Sequence, residues 1–290
     1  MTDSRPLRSV LYMPASNARA MAKARTLDCD AVALDLEDAV APEAKADARI
    51  ALVAEAQAGG FGHRRLIARI NALATPWGHD DLTALAAAPV EAVLAPKVDD
   101  AADVEALSAA MDAAGFAPEV ALWVMIETPR AVLALERIAA CAGTTRLRGF
   151  VLGLNDLAKD SGIAQLPGRG AFMPVLTMAV LAARAHGLLI LDGVCNAIED
   201  QARLEAECVQ ARDSGFDGKT LIHPAQLDLC NRVFAPSAED VAEAEAIVAA
   251  FGDPANAGKG ALRINGKMVE LLHLAQGKQL LAKAEAIAKR

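Results

Sequence analysis

Residues 120–127 read VALWVMIE: seven apolar positions closed by one carboxylate. A short apolar run rich in β-branched and aromatic residues, without polar alternation, is the signature of a strand covered on both faces, as in a parallel sheet. The same kind of run recurs along the chain as SVLYM (9–13), AVALDL (31–36), RLIARI (65–70), EAVLAPK (91–97), RGFVLGL (148–154), GLLILDG (187–193) and FDGKTLIH (216–223). Their starts fall 22 to 39 residues apart. Ala-, Glu- and Arg-rich stretches with helical spacing lie between them, such as DVEALSAAMDAAG (103–115). Eight strand–helix units in roughly 230 residues predict an α/β fold of the closed (β/α)8, or TIM-barrel, type. The alternative is an open doubly wound sheet. It requires a Gly-rich first turn, which LYMPASNARA (11–20) lacks.

After Phe234 the rhythm breaks. Ser237 followed by Glu239 and Asp240 predicts a helix start with Ser237 as its cap, the helix running to about Phe251. GDPANAGKG reads as a flexible loop. Asn265-Gly266 between two short apolar runs predicts a tight hairpin, and an Ala-, Lys- and Leu-rich helix closes the chain. Two parts are therefore expected: a barrel over 1–235, and a helix–hairpin–helix segment over 236–290 that acts as a lid or a subunit contact.

Composition narrows the function. Hydrophobic residues at 54% supply a large core. Aromatics at 3% and a net charge of −8 argue against a base-stacking or phosphate-backbone surface, so no nucleic acid is expected. No run reaches the ~18 apolar residues of a membrane span. MTDSRPLRSV has no apolar segment of the kind a signal peptide needs, and the expected location is cytoplasmic. The five cysteines are scattered without C-x-x-C spacing and are expected to be buried free thiols.

Barrel enzymes carry their chemistry at the carboxyl ends of the strands. Here those ends present Asp35, Glu37 and Asp38; Arg69 and Asn71; Lys97; Glu127; Asn155 and Asp156; Asp192; and Lys219 and His223. Adjacent strand ends lie ~5 Å apart, and at that range Glu127 and Asp156 share either a proton or a cation. Two carboxylates completed by waters are the usual solution for Mg2+, with Mn2+ as a substitute; the other reading of Asp156 is a cap on the following helix. A guanidinium buried at a barrel mouth needs an anion, so Arg69 pairs with Asp35, with Glu37 or with a substrate carboxylate. Asp35 and Glu37 are two apart and share one face of an extended chain, while Asp38 faces elsewhere. His223 is expected to make a supporting hydrogen bond. No G-x-S-x-G or Walker loop occurs.

RSVLYMPASN, DAVALDLEDAV, ARIN, APKV, MIETPRAV, GLNDLAKD, GKTLIHPAQ and GKMVE are each similar, in order, to a block of one family. The chain resembles the citrate lyase β subunit and the malyl-CoA and citramalyl-CoA lyases, within the HpcH/HpaI aldolase superfamily. The resemblance covers nearly the whole chain. It implies a (β/α)8 barrel binding Mg2+ and assembled as trimers or hexamers, with metal ligands at Glu127 and Asp156 and the substrate-carboxylate arginine at Arg69. In related lyases the C-terminal segment covers a neighbouring subunit's site and brings an acid, which falls here on Glu270. The implied reaction is retro-Claisen cleavage of a 3-hydroxyacyl-CoA of the malyl-, citramalyl- or citryl-CoA type, to acetyl-CoA or a related acyl-CoA plus a 2-oxo acid.

In that scheme Asn155 and Arg69 bind substrate. Arg69, Glu37, Asp38 and Glu270 are the candidate catalytic groups, and Lys23, Arg25 and Lys97 are candidate contacts to the CoA part of the substrate. Three rivals use the same features: a malyl-CoA thioesterase on the same scaffold, a CoA-free metal aldolase of 2-oxo acids, and a non-catalytic subunit that binds an acyl carrier partner.

Overall fold

The computed structural model describes residues 5–290. The first four residues of the expected barrel part and of the MTDSRPLRSV stretch lie outside the described residues. By internal contacts the chain divides into Leu7–Arg232, and Val233–Arg290 together with Arg5 and Pro6.

In Leu7–Arg232 eight parallel strands close in sequence order: β1 (Ser9–Pro14), β2 (Ala31–Asp35), β3 (Arg65–Arg69), β4 (Ala92–Ala95), β5 (Ala121–Ile126), β6 (Leu147–Leu152), β7 (Leu189–Asp192) and β8 (Gly218–Leu221). The helices between them are α1 (Ala18–Ala24), α2 (Lys45–Ala58), α3 (Gly78–Leu85), α4 (Ala101–Ala114), α5 (Pro129–Leu133), α6 (Leu135–Ala140), α7 (Leu154–Ser161), α8 (Met173–Ala185) and α9 (Gln201–Ser214), followed by α10 (Leu227–Phe234). This is the barrel that the eight apolar runs predict.

The closure is made by β8 on β1, with Ser9 opposite Lys219 and Leu11 opposite Leu221. A Cβ on Gly218 would lie 1.9 Å from the Leu7 carbonyl oxygen, so only glycine lets the last strand approach the first. Gly218→Ala is expected to destabilise the protein by about 3 kcal/mol or more, the upper range for forced overpacking, read as a lower urea midpoint at unchanged slope. A midpoint equal to that of the parent would show that the seam can shift.

The barrel interior follows the two-residue period of strands. Val10, Ala31, Ala33, Ile67, Leu94, Trp123, Met125, Val151 and Leu191 form one buried cluster with Tyr12 packed against it. One step further along the same inward rows come Asp35 on β2, Arg69 on β3 and Glu127 just past β5. Apolar layers fill the floor, and the charged layer stands at the mouth.

Val233–Arg290 contains α11 (Ala238–Gly252), the antiparallel pair β9 (Ala261–Ile264) and β10 (Lys267–Glu270), and α12 (Leu271–Ala288). Ser237 caps α11, its Oγ accepting from the Asp240 N–H at 3.0 Å. Asn265 and Gly266 both take positive φ, +50° and +82°, as a two-residue hairpin turn of the Asn-Gly type requires. α12 packs on α11 where Gly277 meets Ala244. Among the described residues no helix is long and apolar enough to cross a membrane. All five cysteines are buried, and none forms a disulfide among the described residues.

Candidate active site

A cavity of about 400 Å³ opens at the carboxyl ends of the strands. Its wall includes Tyr12, Asp35, Asp38, Arg69, Glu127, Asn155, Asp156 and Asn196.

Glu127 is placed by its neighbours in sequence. Pro129 has no N–H to donate and presets the first turn of α5, and Thr128 caps that turn, its Oγ1 accepting from the Ala131 N–H at 3.0 Å. β5 must therefore stop at Ile126, which leaves Glu127 at the rim. It is fully buried. Its Oε1 accepts the Lys97 backbone N–H at 2.8 Å, while its Oε2 has no hydrogen-bond partner among the described residues. Lys97 holds a left-handed φ of +55° to present that N–H. Gly153 makes the space: a Cβ there would meet Glu127 Cβ at 2.4 Å and Oε2 at 2.5 Å.

Asp156 sits in the first turn of α7, where the helix dipole favours a carboxylate. The Lys97 ammonium bridges the two acids, 2.6 Å from Asp156 Oδ2 and 3.3 Å from Glu127 Oε1. Burial raises the Glu127 pKa. For Asp156 burial acts in the same sense, but the Lys97 hydrogen bond and charge overcome it and hold its pKa below the usual carboxylate range. The donors fit a hard divalent cation: two adjacent carboxylates, one with a buried free oxygen, already gathered around a positive charge. No third His, Cys, Asp or Glu among the described residues joins them as a ligand group. Waters or substrate oxygens would complete the shell.

Arg69 is held by its own side of the barrel. Nε and Nη2 donate to the two oxygens of Asp35 at 2.7 and 2.6 Å, a bidentate pair. Nη1 lies 2.7 Å from Glu37 Oε2, out of hydrogen-bond alignment, and 3.6 Å from Asp38 Oδ2. The guanidinium also covers the Tyr12 ring, 4.8 Å from its centroid. Of the two partner classes open to Arg69 from sequence, the protein carboxylates hold it here.

Burial pushes the Glu37 carboxyl up to about 8; Arg69 pulls it down, and Asp38, Glu127 and Asp35 push it up further. A pKa raised on folding means that the native state takes up a proton between the ordinary value of 4.5 and about 8. This group's stabilisation is complete below pH 4.5 and is lost as pH rises to about 8. The slope is at most about 1.4 kcal/mol per pH unit. Glu37→Gln is expected to flatten that decline, checked by urea titrations at several pH values.

The other sequence-predicted residues divide clearly. Asn155 lines the cavity, and its Oδ1 accepts from Asn196 Nδ2 at 2.7 Å and Gln165 Nε2 at 3.0 Å. Lys23 and Arg25 are not brought to the cavity. They stand at the far end of α1, which runs back toward the amino ends of the strands. There Arg25 pairs with Glu55, donates to the Gly59 carbonyl at 2.6 Å and lies over the Phe61 ring. Asp192 and Lys219 point away from the interior row. Buried beneath α9, they pair at 2.7 Å, with Arg169 Nη1 2.8 Å from Asp192 and Lys219 3.3 Å from Glu207. Asn71 donates to Asp81 at 2.7 Å. His223 caps the turn Pro224–Gln226, its Nδ1 accepting from the Ala225 N–H at 3.2 Å. Strand-end polarity therefore overcounts: the inward-pointing residues reach the cavity and the outward ones brace helices. Glu270 ends β10 in the C-terminal unit, its N–H donating to His273 Nδ1 at 2.9 Å.

The sequence reading missed Tyr12, Asn196 and Gln165. Tyr12 carried a signal, since it is the one polar-tipped residue at an inward position of SVLYM. Asn196 and Gln165 lie in loops and carried none.

Residues 8–224 match the HpcH/HpaI aldolase/citrate lyase family. The chain belongs to that family. It is 48% identical over 286 residues to a (3S)-malyl-CoA thioesterase of Cereibacter sphaeroides strain KD131, covering 99% of this chain and 97% of that one. An L-malyl-CoA/beta-methylmalyl-CoA lyase of C. sphaeroides strain ATCC 17025 is 33% identical over 310 residues, covering 98% and 96%. The crystal structure of CitE from Mycobacterium tuberculosis in complex with magnesium, acetoacetate and coenzyme A superposes with a TM-score of 0.78 at 31% identity. That match covers 98% of this chain and 100% of that one.

Proposed function

We propose that this enzyme acts on the CoA thioester of a short hydroxy-dicarboxylic acid of the malyl type, with Mg2+ at Glu127 and Asp156, and that its main reaction is hydrolysis of the thioester. The observation that carries hydrolysis is the full-length likeness to the malyl-CoA thioesterase, 48% against 33% for the malyl-CoA lyase. Carbon–carbon cleavage is the second reading, supported by that lyase and by the fold shared with CitE.

A divalent cation held there would polarise substrate oxygens and neutralise the two carboxylates. Lys97 fixes Glu127 through its backbone N–H and holds Asp156 beside it through its ammonium. Asp35 locks the Arg69 fork, and Arg69 supplies fixed positive charge at the cavity wall. Asp38 lines the cavity with its side chain mostly exposed, so it is the carboxylate best free to take a proton. In hydrolysis that proton comes from water, and in cleavage from the substrate hydroxyl. Asn155 faces the substrate with its orientation set by Asn196 and Gln165. Glu270, in the GKMVE block, belongs to the same proposal as an acid lent by another copy in a homotrimer or hexamer, which light scattering would size.

Incubation of the purified chain with malyl-CoA is expected to release free CoA thiol and malate, and EDTA is expected to stop it. Acetyl-CoA plus glyoxylate, also stopped by EDTA, would make carbon–carbon cleavage the activity. Turnover unchanged by EDTA would sink the metal assignment.

A further inference from the structure

The chemistry above leaves the Tyr12 hydroxyl without a role. Tyr12 is the single tyrosine of the chain. On β1 it faces inward opposite Ala33 and packs on the barrel's inner cluster, and its ring forms part of the cavity wall. The hydroxyl oxygen is buried and has no hydrogen-bond partner among the described residues. Phenylalanine would fill the same volume without burying an unsatisfied polar group, so the hydroxyl calls for an acceptor that the described residues do not provide.

The charged groups around it are Arg69, Asp35, Glu127 and Glu37. Both oxygens of Asp35 already accept from Arg69, and they also take the N–H groups of Glu37 and Ala39 at 2.8 and 3.2 Å. Arg69 in turn has Nε and Nη2 on Asp35 and Nη1 against Glu37. The fork of the guanidinium over the ring is therefore fixed on Asp35, while the phenol, a second donor at this wall, meets no acceptor among the described residues. Burial holds the phenol protonated well beyond its usual range, which keeps it a donor at any working pH.

We infer that the Tyr12 hydroxyl donates a hydrogen bond to the carboxylate on the hydroxyl-bearing carbon of the substrate, and so selects acyl groups that carry that carboxylate. This rests on the cavity taking a hydroxy-dicarboxylic ester. It assigns to Tyr12 a contact that the sequence offered to Arg69.

The single tyrosine makes the test direct. The full chain carrying fluorotyrosine gives one fluorine resonance, which is followed while (S)-malate, the free acid of the acyl half, is added with Mg2+ present. Saturable movement of that resonance is expected. Tyr12→Phe is expected to weaken malate binding by about tenfold, the loss of one hydrogen bond to a charged acceptor. KM should rise with kcat held within about twofold, and the melting temperature should be equal or higher, since no internal hydrogen bond is removed. A resonance unmoved by saturating malate, or equal malate affinity in Tyr12→Phe, overturns the inference. So does a resonance that moves with acetyl-CoA and not with malate, or weaker Mg2+ binding by Tyr12→Phe without malate, which would give the hydroxyl to Glu127. Malate binding is read without turnover. If Tyr12 responds to malate while no CoA ester is consumed, the Tyr12 assignment stands and the enzymatic reading falls.

Discussion

Glu127→Gln is expected to lower Mg2+-dependent turnover by roughly a thousandfold or more while leaving the fold intact, because it removes one of only two carboxylates at the proposed cation site. Glutamine fills the same buried space and still accepts the Lys97 N–H through its amide oxygen. It cannot supply the second anionic oxygen, Oε2, which has no other partner among the described residues. Calorimetric titration with Mg2+ and a thermal melt separate the two effects: heat of binding should vanish and the melting temperature should move little. Gly153→Ala approaches the same site without touching the carboxylate. Its Cβ would lie 2.5 Å from Oε2, so Glu127 must turn away, and a large activity loss is expected with the acid still present. Full activity in either variant would remove Glu127 from the mechanism.

Arg69→Met is expected to cost about 3–5 kcal/mol of folding stability, the usual penalty for breaking a buried ion pair from one side. Asp35 is 1% exposed and Glu37 8% exposed, so neither can recover its lost partner from water. Methionine keeps the aliphatic packing over Tyr12 and lets the missing charge show by itself. Asp35→Asn in the same chain should restore part of the loss, because the anion left uncompensated is then removed. Urea denaturation of the four variants in the cycle measures the coupling. Additive effects would mean that the two side chains act independently, against the bidentate geometry at 2.6 and 2.7 Å.

The barrel was legible because each strand announces itself. A run such as VALWVMIE has one stable use, a strand covered on both faces, and Pro129 with Thr128 says where it ends. The Asn265-Gly266 turn and the Ser237 cap were legible for the same local reason: positive φ and an orphan N–H each demand particular side chains. Glu127, Asp156 and Arg69 were legible because a charge at the end of an apolar strand must find a partner nearby.

Other features were not local. Asp192 and Glu127 look alike in sequence, each an acid at a strand end, yet the first turns outward to Lys219 and Arg169 while the second turns into the cavity. Which way each points depends on strand register and on how the barrel closes, which is set by residues far along the chain. Lys23 and Arg25 suited an anionic substrate by charge alone, but the direction of α1 takes them to the opposite end of the strands. Lys97 required contact between three successive units before its ammonium could be seen to join Glu127 to Asp156.

The sequence by itself determined the elements, their order, the closed barrel and the residue types at its mouth, because these rest on hydrophobic period, caps and turns within a few residues. Only the tertiary structure decided which strand-end charges share a cavity, that Arg69 is held by Asp35 and Glu37, and that the Tyr12 hydroxyl has no hydrogen-bond partner among the described residues. Partnership between side chains 34 or 56 residues apart, as for Arg69 with Asp35 and Met125, exists only once the sheet has closed.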